Sequence, residues 1–254
     1  MNTILQIPIG VSSLEDIVQE AVAVIKDRAR QIVFACANSN SMNVSRRDEL
    51  FRAALLNAEH VVADGAGVRF VARLCGKDVG PRIIGQEYFD ALMAKMQSRG
   101  AGHVFFFGSS EATLDRIGQC FEREYPDLTF CGSISPPYGE WSVQENQRFL
   151  TEINEARPDL LWVGMTAPKQ EKWVYENRRK LDVPVIGSIG AVFDFFAGTV
   201  KASPPWVRRL GLEAAYRLAM EPRRMWKRVL VSNVTFVVYG SWYELRNLKN
   251  SAGK

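Results

Sequence analysis

Six short apolar runs punctuate residues 1 to 200: QIVFAC (31 to 36), HVVA (60 to 63), HVFFFG (103 to 108), LTFCGSI (128 to 134), LLWVG (160 to 164) and VPVIGSIG (183 to 190). Between them the apolar positions recur at helical rather than alternating spacing. Short β-like runs separated by amphipathic helices are the pattern of a parallel sheet covered by helices on both faces. The chain is therefore expected to be α/β, with a Rossmann-like sheet.

Several helices announce their ends. Ser142-x-x-Glu145 is a capping box that opens a helix running to about Glu155, the serine and glutamate each satisfying a backbone N–H of the first turn. Pro168 suits position N1 of the helix behind GMTAPKQEKW, where a missing N–H costs nothing. In GQEYFDALMAKMQSRG, Phe89, Leu92, Met93 and Met96 share one helical face, and that face is read as core. After FFAGTVKASPPW the pattern changes. Pro204 and Pro205 break the chain, and the remainder reads as two basic, aromatic-rich helices split at Pro222. A boundary is placed near residue 200, giving a Rossmann-like domain over residues 1–200 and a basic, helical appendage over residues 201–254.

Composition narrows the class. With 254 residues, 47% hydrophobic and 24% charged, the chain can bury a sizeable core, which excludes disordered and fibrous classes. The net charge of +4 hides an asymmetry: residues 201 to 254 hold 11 Lys and Arg against 3 Asp and Glu, so the tail is strongly basic and the rest mildly acidic. An anionic surface or substrate is expected at the tail. Cys36, Cys75, Cys120 and Cys131 are widely spaced with no CxxC pair, and are read as reduced thiols of a cytosolic protein. The N-terminus carries no signal-peptide pattern. No uncharged stretch is longer than Val229 to Tyr243, which is interrupted by Ser232, Asn233 and Ser241 and falls short of the roughly 20 apolar residues a membrane span needs.

In open parallel sheets, ligands bind beyond the carboxyl ends of the strands. Four such ends are polar or glycine-rich here: CANSNSMN, VADGAGVR, FGSSEAT and GMTAPKQEKW. Asp64 stands at the tip of one of them, beside Gly65 and Gly67, either as a general base or as a cap of the next helix. GSS at 108 to 110 is a weak phosphate signal, since ordinary N-caps look the same. No GxGxxG, GxxxxGK[ST] or D-x-D is present, and His60 and His103 lack metal-ligand spacing. Dinucleotide, P-loop, metal and His-triad chemistries are therefore disfavoured. Lys169 and Gln170 are expected to project over the crevice toward phosphate, base or sugar hydroxyls, and Glu171 and Lys172 to be a solvated first turn.

NAEHVVADGAGV, GMTAPKQEKWV, GSIGAVFDFFAGTVKASPPWVRRLGLEAAYRL and EPRRMWKR together resemble the blocks of the WecG/TagA/CpsF glycosyltransferases, family 26, over roughly residues 5 to 235. The resemblance implies an inverting, non-processive transferase that moves a hexose or N-acetylhexosamine (or its uronic acid) from a UDP-sugar to a polyprenyl-pyrophosphate-linked saccharide. It also implies peripheral attachment at the cytoplasmic face of the bacterial membrane, on an anionic surface, without nucleic-acid partners and without a cofactor. Matched position by position, the Asp of the ADG block is Asp64, the catalytic base; Gln170 and Asp194 help hold the donor. In the early T-x-N element Asn38 matches, while Cys36 replaces the threonine. With no D-x-D metal site, charge on the leaving pyrophosphate would be met by helix N-termini and by Arg217, Arg224 or Lys227 of the tail. The rival readings are a non-catalytic nucleotide- or lipid-binding regulator that docks to membranes, and an NAD-dependent oxidoreductase, which lacks its glycine fingerprint.

Overall fold

The computed structural model describes residues 2–201, 203–204, 207, 213–220, 222–226 and 231–252. A short antiparallel hairpin, β1 (Asn2–Ile4) and β2 (Ile7–Ile9), leads into α1 (Leu14–Asp27). Then follow β3 (Ile32–Ala37), α2 (Ser39–Ser45), α3 (Glu49–Leu56), β4 (His60–Ala63), α4 (Ala66–Leu74) and α5 (Gly85–Gln97). The second half brings β5 (His103–Gly108), α6 (Glu111–Glu124), β6 (Thr129–Ile134), α7 (Val143–Glu155), β7 (Leu160–Gly164), α8 (Lys169–Asn177), β8 (Val185–Ser188) and α9 (Gly190–Phe196). In the tail lie α10 (Glu213–Met220), α11 (Pro222–Trp226) and α12 (Ser232–Ala252).

The main sheet has six strands in the order β4-β3-β8-β7-β5-β6, with all pairings parallel. The apolar runs belong here because both faces are covered. Successive side chains of a strand point to opposite faces, so Phe34, Phe106 and Trp162 join α1, α5, α6 and α9 in one layer. Their neighbours Val33, Phe105, Phe107, Leu161 and Val163 meet α7 and α8 in the other. The core face expected on α5 is observed, with Phe89, Leu92, Met93 and Met96 all buried. After β5 the chain moves outward to β6, and after β7 it moves the other way to β8. That reversal opens a crevice at the carboxyl edge, where open α/β sheets take their ligands.

Some boundaries differ from the sequence reading. The run at 183 to 190 is strand only over Val185–Ser188, because Ile189 already stands at the N-cap of α9. Pro168 occupies the N-cap of α8, one residue before the expected N1 position. The Ser142 box is present as read: the Ser142 hydroxyl accepts from the Glu145 N–H at 3.1 Å, and the Glu145 carboxylate accepts from the Ser142 N–H at 2.7 Å. The tail was expected to form two helices; three are described, with Pro222 opening the second where its absent N–H is harmless.

The last helix returns to the sheet domain. Phe236 is fully buried among Ile4, Met42 and Val68. Glu244, only 2% exposed, accepts from the Leu5 N–H at 2.7 Å and from the Lys77 ammonium at 2.6 Å. The approach of α2 to α4 depends on Gly67, where a Cβ would stand 2.2 Å from the Ser39 hydroxyl, and α12 packs over the same place, with the Asn233 side-chain oxygen 3.4 Å from that Cβ.

Candidate active site

Asp64 extends β4 by one residue: its N–H donates to the Ala37 carbonyl at 3.0 Å, continuing the ladder to β3. The residue is half-buried. The N-cap position of α4 falls one residue later, on Gly65, so Asp64 is not the N-cap residue itself. From the loop between α4 and α5, the Arg82 guanidinium donates to the Asp64 carbonyl at 3.3 Å. Arg82 escaped the sequence reading; an arginine set in GPRIIGQEY, among apolar and glycine residues, was the available signal.

Next to Asp64 lies the end of β3. Asn38 caps α2, its side-chain oxygen accepting from the N–H groups of Asn40 at 3.0 Å and Ser41 at 3.1 Å. Cys36 sits beneath, its thiol pushed well above the usual range, chiefly by burial and then by the negative charges of Asp64 and Glu171, against the opposing Gly85 N–H. A thiol so placed stays protonated at neutral pH, which removes its nucleophilicity.

Two further strand ends bring in α8 and α9. Gln170 is buried, with its oxygen accepting from the Gly190 N–H at 3.1 Å and its amide nitrogen donating to Glu171 at 2.9 Å. Gly190 has to be glycine for this approach, since a Cβ there would lie 2.2 Å from the Met165 carbonyl oxygen. Asp194 is half-buried on α9, its carbonyl accepting from Thr199 N–H at 3.0 Å and Val200 N–H at 3.2 Å. Asp64, Asn38, Gln170 and Asp194 thus come from consecutive positions along one sheet edge, β4, β3, β7 and β8, although α8 and α9 carry the latter two.

Other expectations need correction. Lys169 turns away to the loop after β6, donating to the Gly139 carbonyl and lying 3.8 Å from the centre of the Trp141 ring. Burial lowers its pKa, with Glu140 opposing. Glu171 is buried and Lys172 pairs with Asp48 at 2.9 Å, so neither is a solvated first turn. Packing of α8 against α3 brings these groups together. Ser110 of the GSS stretch is an ordinary cap of α6, accepting from the Thr113 N–H at 3.3 Å. Among the described residues no three His, Cys, Asp or Glu side chains gather as a metal site. Arg217 lies on α10 and Arg224 on α11, with side chains outside what is described; Lys227 lies outside the described residues altogether.

The starts of the helices separate the edge into two kinds. Ser13, Asn38, Asp48, Ser110 and Ser142 cap α1, α2, α3, α6 and α7 through their side chains. At α4, α5, α8 and α9 the N-cap residue, Gly65, Ile84, Pro168 or Ile189, makes no side-chain cap of its own; the Glu87 carboxylate accepts from the Ile84 N–H at 3.2 Å, and Gln170 accepts from the Gly190 N–H that opens α9. These starts adjoin the candidate residues: α4 follows Asp64 directly, Gly85 of α5 lies against the Cys36 sulfur, and Gln170 binds the start of α9.

Comparison with known proteins matches this arrangement to a family. A sequence model described as the glycosyl transferase WecG/TagA/CpsF family matches residues 2–250. The chain is 28% identical over 229 residues to the N-acetylglucosaminyldiphosphoundecaprenol N-acetyl-beta-D-mannosaminyltransferase of Bacillus subtilis (strain 168), covering 90% of this chain and 87% of the relative. It is 26% identical over 193 residues to the protein of the same description from Staphylococcus aureus (strain MW2), covering 76% of this chain and 72% of that one. The chain belongs to the WecG/TagA/CpsF glycosyltransferase family.

Proposed function

We propose that this family member is an inverting, non-processive glycosyltransferase that moves a hexose, N-acetylhexosamine or N-acetylhexosaminuronic acid unit from a UDP-sugar to a polyprenyl-pyrophosphate-linked saccharide. The observation that carries the reading is Asp64: a half-buried carboxylate at a strand tip on the sheet edge that also carries Asn38, Gln170 and Asp194, directly before the start of α4. In the reaction, Asp64 takes the proton of the acceptor hydroxyl as that oxygen bonds to the anomeric carbon. The bond from that carbon to UDP breaks on the opposite face, which inverts the configuration. Backbone N–H groups and Arg217, Arg224 or Lys227 of the tail would meet the charge that develops on the pyrophosphate. No cofactor takes part in this scheme.

The relatives' descriptions make UDP-N-acetylmannosamine the first donor to try and N-acetylglucosaminyl-diphosphoundecaprenol the first acceptor. UDP-glucose and UDP-N-acetylmannosaminuronic acid belong in the same screen, because Cys36 replaces a threonine of the family pattern. Release of UDP that requires both substrates supports the proposal. UDP-sugar binding with no transfer to any short-chain lipid-pyrophosphate acceptor would instead favour the non-catalytic reading.

Peripheral attachment at the cytoplasmic face of the membrane is part of the proposal. Among the described residues no helix is long and apolar enough to cross a bilayer. The outer face of α12 nevertheless exposes Val234, Val238, Trp242, Leu245 and Leu248 at helical spacing. Phe70 and Leu74 stand exposed on α4, three and seven residues beyond the Gly67 contact with that helix. An apolar ridge in a basic tail suits an anionic interface. Flotation with phosphatidylglycerol vesicles checks it: Val238→Ser with Trp242→Ser should release the protein, and salt should weaken what remains.

A further inference from the structure

Resting on the reading of Gln170 as a donor-side residue, we infer that Glu171 is a positioning residue: its buried carboxylate holds the Gln170 amide in one orientation, and through it the first turn of α9, which carries Asp194. A side-chain amide is nearly symmetric in shape but not in chemistry, one end donating and the other accepting. At Gln170 both ends have a partner that fixes the choice. The Gly190 N–H can only donate and lies 3.1 Å from the amide oxygen, while the Glu171 carboxylate oxygen accepts from the amide nitrogen at 2.9 Å. Turning the amide over would set N–H against N–H and oxygen against oxygen, losing both bonds.

Burial makes the choice costly to violate. Gln170 and Glu171 are 5% and 6% exposed, so water does not replace a lost partner readily. The absent Cβ of Gly190 lets the backbone of α9 close onto the amide, since a Cβ would stand 2.8 Å from the Gln170 oxygen. A carboxylate is an expensive group to bury for packing alone. The Glu171 carboxylate lies next to Gln170 at the start of α8, on the sheet edge that carries the candidate site. Glu171 touches no reacting atom in this scheme. It acts by fixing which end of Gln170, and which placement of α9, the donor meets.

Two variants separate positioning from bulk. Glu171→Gln keeps an oxygen that can accept from Gln170, and Glu171→Met keeps the volume and removes it; Glu171→Ala repeats the measurement should the methionine variant not fold. The first readout needs no substrate: hydrogen exchange at the Gly190 amide, followed in the whole chain, should quicken about tenfold in Glu171→Met and less than about threefold in Glu171→Gln. The second is steady-state kinetics with UDP-N-acetylmannosamine, where Glu171→Met should raise the donor KM about tenfold and move kcat less than about threefold, with Glu171→Gln near wild type. Unchanged Gly190 exchange in Glu171→Met overturns the inference whatever the kinetics, as does equal impairment of the two variants. Quickened exchange with a normal KM in both Glu171→Met and Gln170→Ala overturns it by a different route, through the role of Gln170 itself. A raised KM in Gln170→Ala beside a normal one in Glu171→Met leaves Gln170 in the site and removes Glu171 from it.

Discussion

The two edges of the sheet are built from similar residues and used in opposite ways. At the amino edge, Asp159 accepts from the Arg28 guanidinium at 3.1 Å and the His103 N–H at 2.9 Å. Glu59 accepts from Arg178 and from the Val33 N–H, both at 2.8 Å. The Gln31 amide reaches three carbonyls, and Glu20 pairs with Arg30 and His60. There the side chains complete one another across long sequence separations and tie strands to helices. At the carboxyl edge the acids Asp64 and Glu171 lie close enough to act on one thiol, and the N-cap residues of α4, α5, α8 and α9 make no side-chain cap of their own. One edge is closed by its own polar groups and holds the sheet together; the other is where the proposed function places the substrates. A charged residue therefore carries different information according to the strand end on which it stands.

The sharpest way to break this comparison is Asp64→Asn. The amide keeps the shape and hydrogen-bonding size but lacks basicity, so transfer should fall by about 10² to 10⁴, the usual contribution of a general base. The thermal midpoint should stay within a few degrees. Purified variant retaining more than about a tenth of wild-type turnover would return Asp64 to a positioning role.

Between the edges lies the seam that joins α12 to the sheet domain, and Glu244→Ala probes it. The change leaves the Lys77 ammonium, whose side chain is 20% exposed, with the Thr3 carbonyl at 2.8 Å but no counter-charge, and takes the partner of the Leu5 N–H. Breaking a buried pair costs about 3–5 kcal/mol, and partial exposure of Lys77 brings the expectation to about 2–3 kcal/mol. Chemical denaturation should show this loss. An unchanged midpoint would mean that α12 unfolds separately from the sheet. At the amino edge itself, Asp159→Ala removes one exposed ion pair and leaves the His103 N–H without its partner. About 1 kcal/mol is expected, with kcat and KM unchanged; a catalytic defect there would blur the division between the edges.

Much of the scaffold was legible because its signals are local. The strands at His60–Ala63, His103–Gly108 and Leu160–Gly164 coincide with uninterrupted apolar runs, and the Ser142 box needs only four residues. The β1–β2 hairpin was missed because its turn, Leu5 and Gln6 at φ 49 and 64, carries no glycine or Asn-Gly signal. Lys172 and Glu171 were misread for a different reason. Their charge suggested solvent, whereas Asp48, 124 residues away, supplies the lysine's partner and Gln170 the glutamate's. At Asp64 the helix start lies one residue later than the capping reading placed it, on Gly65 at φ −107 and ψ 144. Contacts between distant segments and one-residue shifts at helix starts are where pattern reading ends.

The smallest expected effect is a pH dependence confined to the amino edge. His60 is 9% exposed, and its pKa is lowered by burial, with the nearby Glu20 and Glu59 charges pulling it back and Arg30 adding to the depression. The folded chain therefore binds the imidazole proton less well than the unfolded chain, whose histidine titrates near 6.5. Stability from this group is complete above that value and is lost as pH falls from about 6.5 toward the depressed folded pKa, below which the loss levels off. Comparing thermal midpoints of wild type and His60→Gln between pH 8 and pH 5 isolates the effect from the carboxylates common to both. The wild type's midpoint should drop relative to the variant's across that window, while donor KM at each pH stays the same in the two proteins. A gap between the two midpoints that is constant with pH would show that Glu20 lets His60 take up its proton in the fold, and a shift in KM would mean that the amino edge speaks to the crevice after all.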